Sequence, residues 1–426
     1  MRNGLLLLLA GLMCTVTLAA QDFDRYFVDI TLRVDYIFSG DATHQEVSFN
    51  GLAAQPVWAG RRHQLSELPL QGNGILTMRD VHNGTVIYRT SFSSLFHEWL
   101  QTDEARHVRR AFESTFLLPF PIHDTEVEVT LLDYRHQPIT TMKHVVRPDD
   151  ILIRQQVLSE FTPHHYLQRK GEPQSCIDIA ILAEGYRADE EDLFYEDAKR
   201  VMSGIFSYSP FREMRDRFNV IAVAAASEES GTSIPKEGNW VETAFGSHYS
   251  TFYSDRYLTP TYVKRMHDAL ASFNYEHVII LVNSKEYGGG GIYNAYTIAT
   301  AHHPLTIPVV VHEFGHAFGG LGDEYFYEGD TMEDTYPTDV EPWEPNLTTL
   351  VAFDTKWKDM LKAGTPVPTP VSRKETYPVG VFEGGGYSFK GVYRPADECR
   401  MRNNTYPTFC PVCERALKRM IDFYVK

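Results

Sequence analysis

The run VVVHEFGHAFGGLGDEYF, residues 309–326, limits what this chain can fold into more than any other stretch. From Ile307 to Phe318 its positions are apolar or glycine except for His312, Glu313 and His316. Such a segment reads as a helix buried in a core. Pro308 suits its first turn, and Gly319, Gly320 and Gly322 suit its end. On a helix, residues four apart share a face, so His312 and His316 present ring nitrogens to one point while Glu313 stands one step round. Buried polar side chains need partners, and one zinc ion would satisfy both rings. Glu313 could then take a proton from a water on the metal without binding the metal itself. Two ordinary histidines on a helix can carry the same spacing, so the context must decide.

Two protein ligands do not complete a catalytic zinc site. A glutamate on a separate downstream helix is one possible third ligand, but Pro337, Pro342 and Pro345 break the stretch that carries Glu341 and Glu344. The other source is a sharp turn directly after the helix. The metzincin pattern HExxHxxGxxH works that way, with a left-handed glycine swinging the chain back. Gly319 takes that glycine's place, and Gly322, which has no side chain to ligate, stands where the third histidine would be. Asp323 and Glu324 follow, and each could equally be part of an exposed acidic turn.

The rest of the chain sets the frame. Its 426 residues exceed one ordinary core, so two domains are expected. Arg2, the apolar run from Leu5 to about Ala20 and the small residues at its end read as a secretory leader over residues 1–20. Cys14 raises a lipid anchor, but Met13 occupies the place where a lipobox wants a small residue. Export makes disulfides the expectation for Cys176, Cys399, Cys410 and Cys413, with FCPVC as half of a structural zinc site the alternative. A net charge of −16 without a long basic cluster argues against nucleic acid.

Residues 21–150 read as an all-β, sandwich-like domain: DITLRVDYIF alternates at period two, and GILTMRDVHNGTVIYRT is a hairpin signal around Asn83-Gly84, a pair suited to a type I′ turn. Residues 151–175 read as a linker. From Cys176 to the end the pattern becomes α/β: CIDIAILAEGY, FNVIAVAAAS and HVIILVNS as strands, ADEEDLFYEDAKRVMSGIF and TPTYVKRMHDALASF as helices. EYGGGGIYNAYTIATAHH reads as a flexible loop feeding an edge strand, where a peptide could add as a further strand. The acidic run DEYFYEGDTMED raises calcium, but it lacks EF-hand spacing and reads as a solvated loop.

HEFGHAFGGLGDEY resembles the signature of the IgA-specific metalloendopeptidases, the igalysins within the metzincins. CIDIAILAEGY resembles that family's opening strand, and EGGGYSFKGVYRPADECRMRNNTYPTFCPVCERAL its C-terminal segment. The resemblance covers most of residues 170–426. It implies an α/β metzincin-like zincin domain with a mixed sheet and an active-site helix, residues 176–426. It also implies one zinc held by His312, His316 and Asp323, Glu313 as the catalytic base, and Met401 at the Met-turn beneath the metal. Glu324 is the second choice for the third ligand, and Tyr393 and Tyr406 are candidate helpers. The function so implied is an exported zinc endopeptidase acting on a protein or glycoprotein, with immunoglobulin A or a mucin-like chain in view. Two other classes compete: a catalytically silent binding or adhesion protein on a zincin scaffold, against which Glu313 speaks, and a zinc amidase acting on a non-protein polymer.

Overall fold

The computed structural model describes residues 23–156, 162–326 and 336–425. The leader, Cys14 and most of the acidic run after Phe326 lie outside the described residues.

Period-two alternation builds the N-terminal part. After a single turn α1 (Phe23–Tyr26) come β1 (Phe27–Gly40), β2 (Gln45–Pro56), β3 (Gly74–Asp80) and β4 (Val86–Phe92), then the short helix α2 (Leu95–Trp99). The strands β5 (Arg110–Pro121), β6 (Thr125–Leu132), β7 (Pro138–Val146) and β8 (Arg154–Gln155) follow. They form two four-stranded sheets, ordered β5-β1-β2-β8 and β4-β3-β6-β7. Leu32, Val34 and Phe38 of one sheet meet Leu76, Met78, Val127 and Val129 of the other in a single apolar core. Successive side chains point to opposite faces, so Arg33 and Asp35 face away from that core. Arg33 is nevertheless buried, held by Asp35 Oδ1 at 2.9 Å and by Asp268 Oδ1 of the C-terminal part at 2.7 Å. The hairpin at Asn83-Gly84 forms, but only Gly84 of the pair is left-handed (φ 71°), whereas a type I′ turn needs both central residues there. Asp80 explains the difference. Its carboxylate accepts the His82 N–H at 2.8 Å and its carbonyl the Gly84 N–H at 2.8 Å, which winds a longer turn.

The segment read as a linker carries two strands. β8 pairs with β2, and β9 (His164–Gln168) pairs antiparallel with a strand of a third, six-stranded sheet. That sheet contains β9, β10 (Ile177–Glu184), β11 (Phe218–Val223), β12 (His277–Val282), β13 (Gly289–Ile292) and β14 (Tyr296–Thr300), in the order β13-β14-β12-β10-β11-β9. Its centre is parallel and both edge strands are antiparallel. β10, β11 and β12 are buried along their whole length, as their unbroken apolar runs require. The helices are α3 (Glu191–Ile205), α4 (Val263–Ala269), α5 (Thr306–Gly319) and α6 (Pro411–Tyr424). One sheet face packs on α3, α5 and α6, and the other on α4. A further hairpin, β15 (Phe382–Gly385) and β16 (Ser388–Arg394), lies in the stretch where the sequence suggested little regular structure.

The expected disulfides are not formed: Cys176, Cys399, Cys410 and Cys413 are all free and buried. Three of them gather at the start of α6, too far apart to be bonded, with Cys399 Sγ 3.8 Å from Cys413 Sγ.

His277, at the start of β12, lies edge-on to Phe318 and Tyr424, with ring centroids 4.9 and 5.2 Å away. Burial pushes its imidazole down to about 3. An unfolded chain protonates the same ring near 6.5. The stability that the neutral ring permits is therefore whole above pH 6.5 and is lost as pH falls toward 3. His277→Gln should reduce proton uptake on unfolding at pH 5 by about one, read as a shallower fall of the denaturation midpoint between pH 6.5 and 4. An unchanged pH dependence would contradict the neutral buried ring.

Candidate metal centre

α5 brings His312 and His316 together with ring centroids 4.7 Å apart. Each Nδ1 is tied to a backbone carbonyl: His312 to Arg400 O at 3.0 Å, His316 to Leu321 O at 2.5 Å. A carbonyl oxygen only accepts, so each Nδ1 carries the hydrogen and each Nε2 is left with a lone pair. These two Nε2 atoms face each other at 3.0 Å. Asp323 Oδ1 stands 3.1 Å from one and 3.2 Å from the other. In the neutral rings three electron-pair donors thus converge on one point, an arrangement that repels unless a cation, a proton or a metal ion, sits at its centre. Tetrahedral donors at zinc distances of about 2.0–2.1 Å stand roughly 3.3–3.4 Å apart, within a few tenths of an ångström of this triangle. Burial alone would depress His316, but the Asp323 carboxylate overrides it and pushes the imidazole up to about 9. Against its own burial, Asp323 is held well below the usual carboxylate range by the two rings. The pocket is built for an added positive charge, and its donors fit a metal ion.

The turn that delivers Asp323 differs from expectation by one residue. Gly319 is the last residue of α5, and the left-handed residue is Gly320, with φ 58°. Its N–H caps His316 O at 2.9 Å. A Cβ on Gly320 would meet Leu70 Cδ1 at 2.4 Å and Trp343 at 2.8 Å. Counting from the left-handed glycine, the third donor comes three residues later, as in the HExxHxxGxxH pattern. The whole turn has moved one step, which is why Gly322 occupies the place of the pattern's third histidine while Asp323 reaches the two rings.

Glu324 turns the opposite way. It is fully buried, with Asn346 Nδ2 donating to its Oε1 at 2.9 Å. Glu341 and Glu344 are engaged elsewhere, Glu341 by the Ala352 N–H and Glu344 by the Tyr336 hydroxyl. Glu313 does approach the rings, with an oxygen within 4.8 Å of a nitrogen of each. Asp323 is closer, so Asp323 completes the triangle and Glu313 stands beside it. Burial raises the Glu313 carboxyl, with His312 and His316 pulling it partly back. The glycine run expected as a loop is itself β13, and it crosses α5 here. A Cβ on Gly291 would lie 2.3 Å from Glu313 O, and one on Gly289 3.1 Å from Glu313 Oε1. Only glycine permits that approach.

Tyr387 was not singled out in the sequence. At the tip of the β15–β16 hairpin, in a left-handed conformation (φ 63°), it donates its hydroxyl to Asp323 Oδ2 at 2.7 Å. The glycine-rich EGGGYSF turn between two alternating runs was the available signal. Tyr393 instead pairs with Thr348 along β16, and neither Tyr393 nor Tyr406 is among the described residues that line the cleft. Met401 is fully buried. Its sulfur would be 2.8 Å from a Cβ on Gly315 of α5, and its carbonyl accepts the Glu324 N–H at 2.9 Å.

These groups open into a cleft of about 1650 Å³ that Arg256 and Tyr257 line with Glu98 and Tyr134 of the N-terminal part. Tyr257 donates to Glu98, whose carboxyl burial pushes up to about 7.

Residues 166–377 and 373–421 match the family model described as IgA Peptidase M64, and residues 22–143 match that of the Peptidase M64 N-terminus. No curated protein matches significantly. Among solved structures, metalloproteinase-II from Bacteroides fragilis is similar at 12% identity over 53% of this chain and 71% of that one. The TM-score of 0.21 makes that likeness too loose to build on. The two family models span both parts of the fold, and the chain belongs to the IgA peptidase M64 family of metallopeptidases.

Proposed function

We propose that this chain is an exported zinc endopeptidase of metzincin-like architecture, with His312, His316 and Asp323 as metal ligands and Glu313 as general base. One observation carries the reading: three lone-pair donors converge on one point, their tautomers fixed by carbonyls, with a free carboxyl beside them. Zinc bound there supplies a Lewis acid and lowers the pKa of water toward about 7. Glu313 accepts the proton as water attacks the peptide carbonyl and passes it to the leaving amine. Tyr387 fixes the Asp323 carboxylate through its second oxygen, as partners of metal ligands commonly do. Met401 serves as the Met-turn residue, packed under α5. An extended chain running along β13 fits the cleft, since that edge passes directly over Glu313. The leader supports export, and no described helix is long and apolar enough to cross a membrane. Immunoglobulin A is the substrate the family's description names, and a mucin-like glycoprotein is the other substrate to be tried.

The test is a cleavage screen of the purified chain against immunoglobulin A, mucin and unfolded proteins, with new termini read by mass spectrometry. We expect new peptide termini that vanish with a zinc chelator and return with added zinc. Cleavage confined to amides of a non-protein polymer would move the reading to an amidase. Absence of any cleavage would leave a binding protein.

A further inference from the structure

We infer that Glu324, Cys399, Cys410 and Cys413 hold a second metal ion, a structural zinc, behind the first site. Their ligand atoms all lie within 4.8 Å of one another. All four side chains are buried, none more than 3% exposed. Two observations fit an ion, and the second is unexplained by packed thiols. First, thiolates on a tetrahedral zinc at about 2.3 Å stand roughly 3.8 Å apart, and Cys399 Sγ lies 3.8 Å from Cys413 Sγ. Second, Glu324 places an acidic oxygen among sulfurs. Its Oε1 lies 3.1 Å from Cys413 Sγ, and its Oε2 is buried with no hydrogen-bond partner among the described residues. A buried carboxyl oxygen without a partner is costly to the fold. Metal coordination removes that cost.

The local chain fits the same reading. Cys410 is the residue before α6 and Cys413 lies in its first turn, so CPVC is a two-ligand knuckle on a helix start. Cys410 N–H donates to Cys399 Sγ at 3.2 Å, as backbone amides do to metal-bound thiolates. A Cys399–Cys413 disulfide is the competing chemistry in an oxidising compartment. It would leave Cys410 as a lone buried thiol and Glu324 beside neutral sulfurs, whereas an ion engages all four groups. Soft thiolates with one carboxylate, closed to solvent, select zinc in a structural role.

The ion would also tie the first site together. Glu324 follows Asp323 directly. Cys399 precedes Arg400, whose carbonyl holds His312, and Met401, whose carbonyl takes the Glu324 N–H. One clamp thus fixes the turn bearing the third donor against the turn under the helix.

The test uses the full chain and does not depend on peptidase activity. Metal analysis should give two ions per chain, and His312→Ala/His316→Ala should retain one. Cobalt in place of zinc should give an intense near-ultraviolet thiolate-to-cobalt absorption that persists in that double variant and disappears in Cys413→Ser. Alkylation in denaturant with chelator and no reductant should label Cys399, Cys410 and Cys413 alike. A Cys399–Cys413 disulfide peptide in the unreduced digest would overturn the inference, as would a single ion without the thiolate absorption. If Cys413→Ser fails to fold, the parent's cobalt spectrum and peptide map still decide.

Discussion

Glu313→Gln should lower turnover by about 10³ or more while leaving the metal in place. General acid–base catalysis contributes typically 10²–10⁴, and here one carboxylate is asked both to take a proton and to give it up. Glutamine keeps the volume of the side chain, so the close contact beneath Gly289 survives. It cannot accept the proton. His312, His316 and Asp323 lose no contact with one another, so metal content should match the parent, and the melting midpoint should stay within about 2 °C, since the packed volume is kept. The measurement is kcat/KM on a cleaved peptide together with metal analysis of the same sample. Turnover within tenfold of the parent would remove Glu313 from the mechanism. Loss of metal would instead make it a ligand, which its greater distance from the rings argues against.

What could be read in advance followed from local rules. The apolar run around His312 could only be a buried helix, and a helix puts positions four apart on one face, so the two rings were placed before any coordinates. The strands of both parts were legible for the same reason: period-two runs in residues 27–146 and unbroken apolar runs at Ile177–Glu184 and His277–Val282. Long-range choices were not legible. Whether Gly319 or Gly320 turns left-handed depends on Leu417, which crowds Gly319, and on Leu70 and Trp343, which close over Gly320. Those contacts come from residues far away in sequence. The cysteines were read by compartment, and compartment says nothing about a carboxylate from position 324 arriving between them. Tyr387 was hidden because its role depends on a hairpin folding back onto residues 323–325, where Gly386 N–H meets Asp323 O at 2.7 Å and Tyr387 N–H meets Tyr325 O at 3.1 Å.

Asp323→Ala should abolish cleavage by removing the metal, a different route to the same loss. Without the carboxylate, two lone pairs at 3.0 Å remain, and a two-histidine site binds zinc far more weakly than three protein ligands do. The variant should therefore retain one ion of two if the cysteine site is filled, and show no turnover above background. Tyr387→Phe separates ligand from support. It deletes only the hydroxyl that donates to Asp323 Oδ2, and loss of such an outer partner costs roughly 10–100-fold in metal affinity or activity. The two variants should therefore order themselves: Asp323→Ala inactive at any zinc concentration, Tyr387→Phe weakened but restored toward the parent as zinc is raised. Both are read by titrating zinc into the metal-stripped chain and following cleavage. An Asp323→Ala protein that keeps its full metal content and cuts normally would show that the carboxylate 3.1 Å from His312 is a neighbour of the site and no part of it. A Tyr387→Phe protein indistinguishable from the parent would limit the hairpin's role to packing.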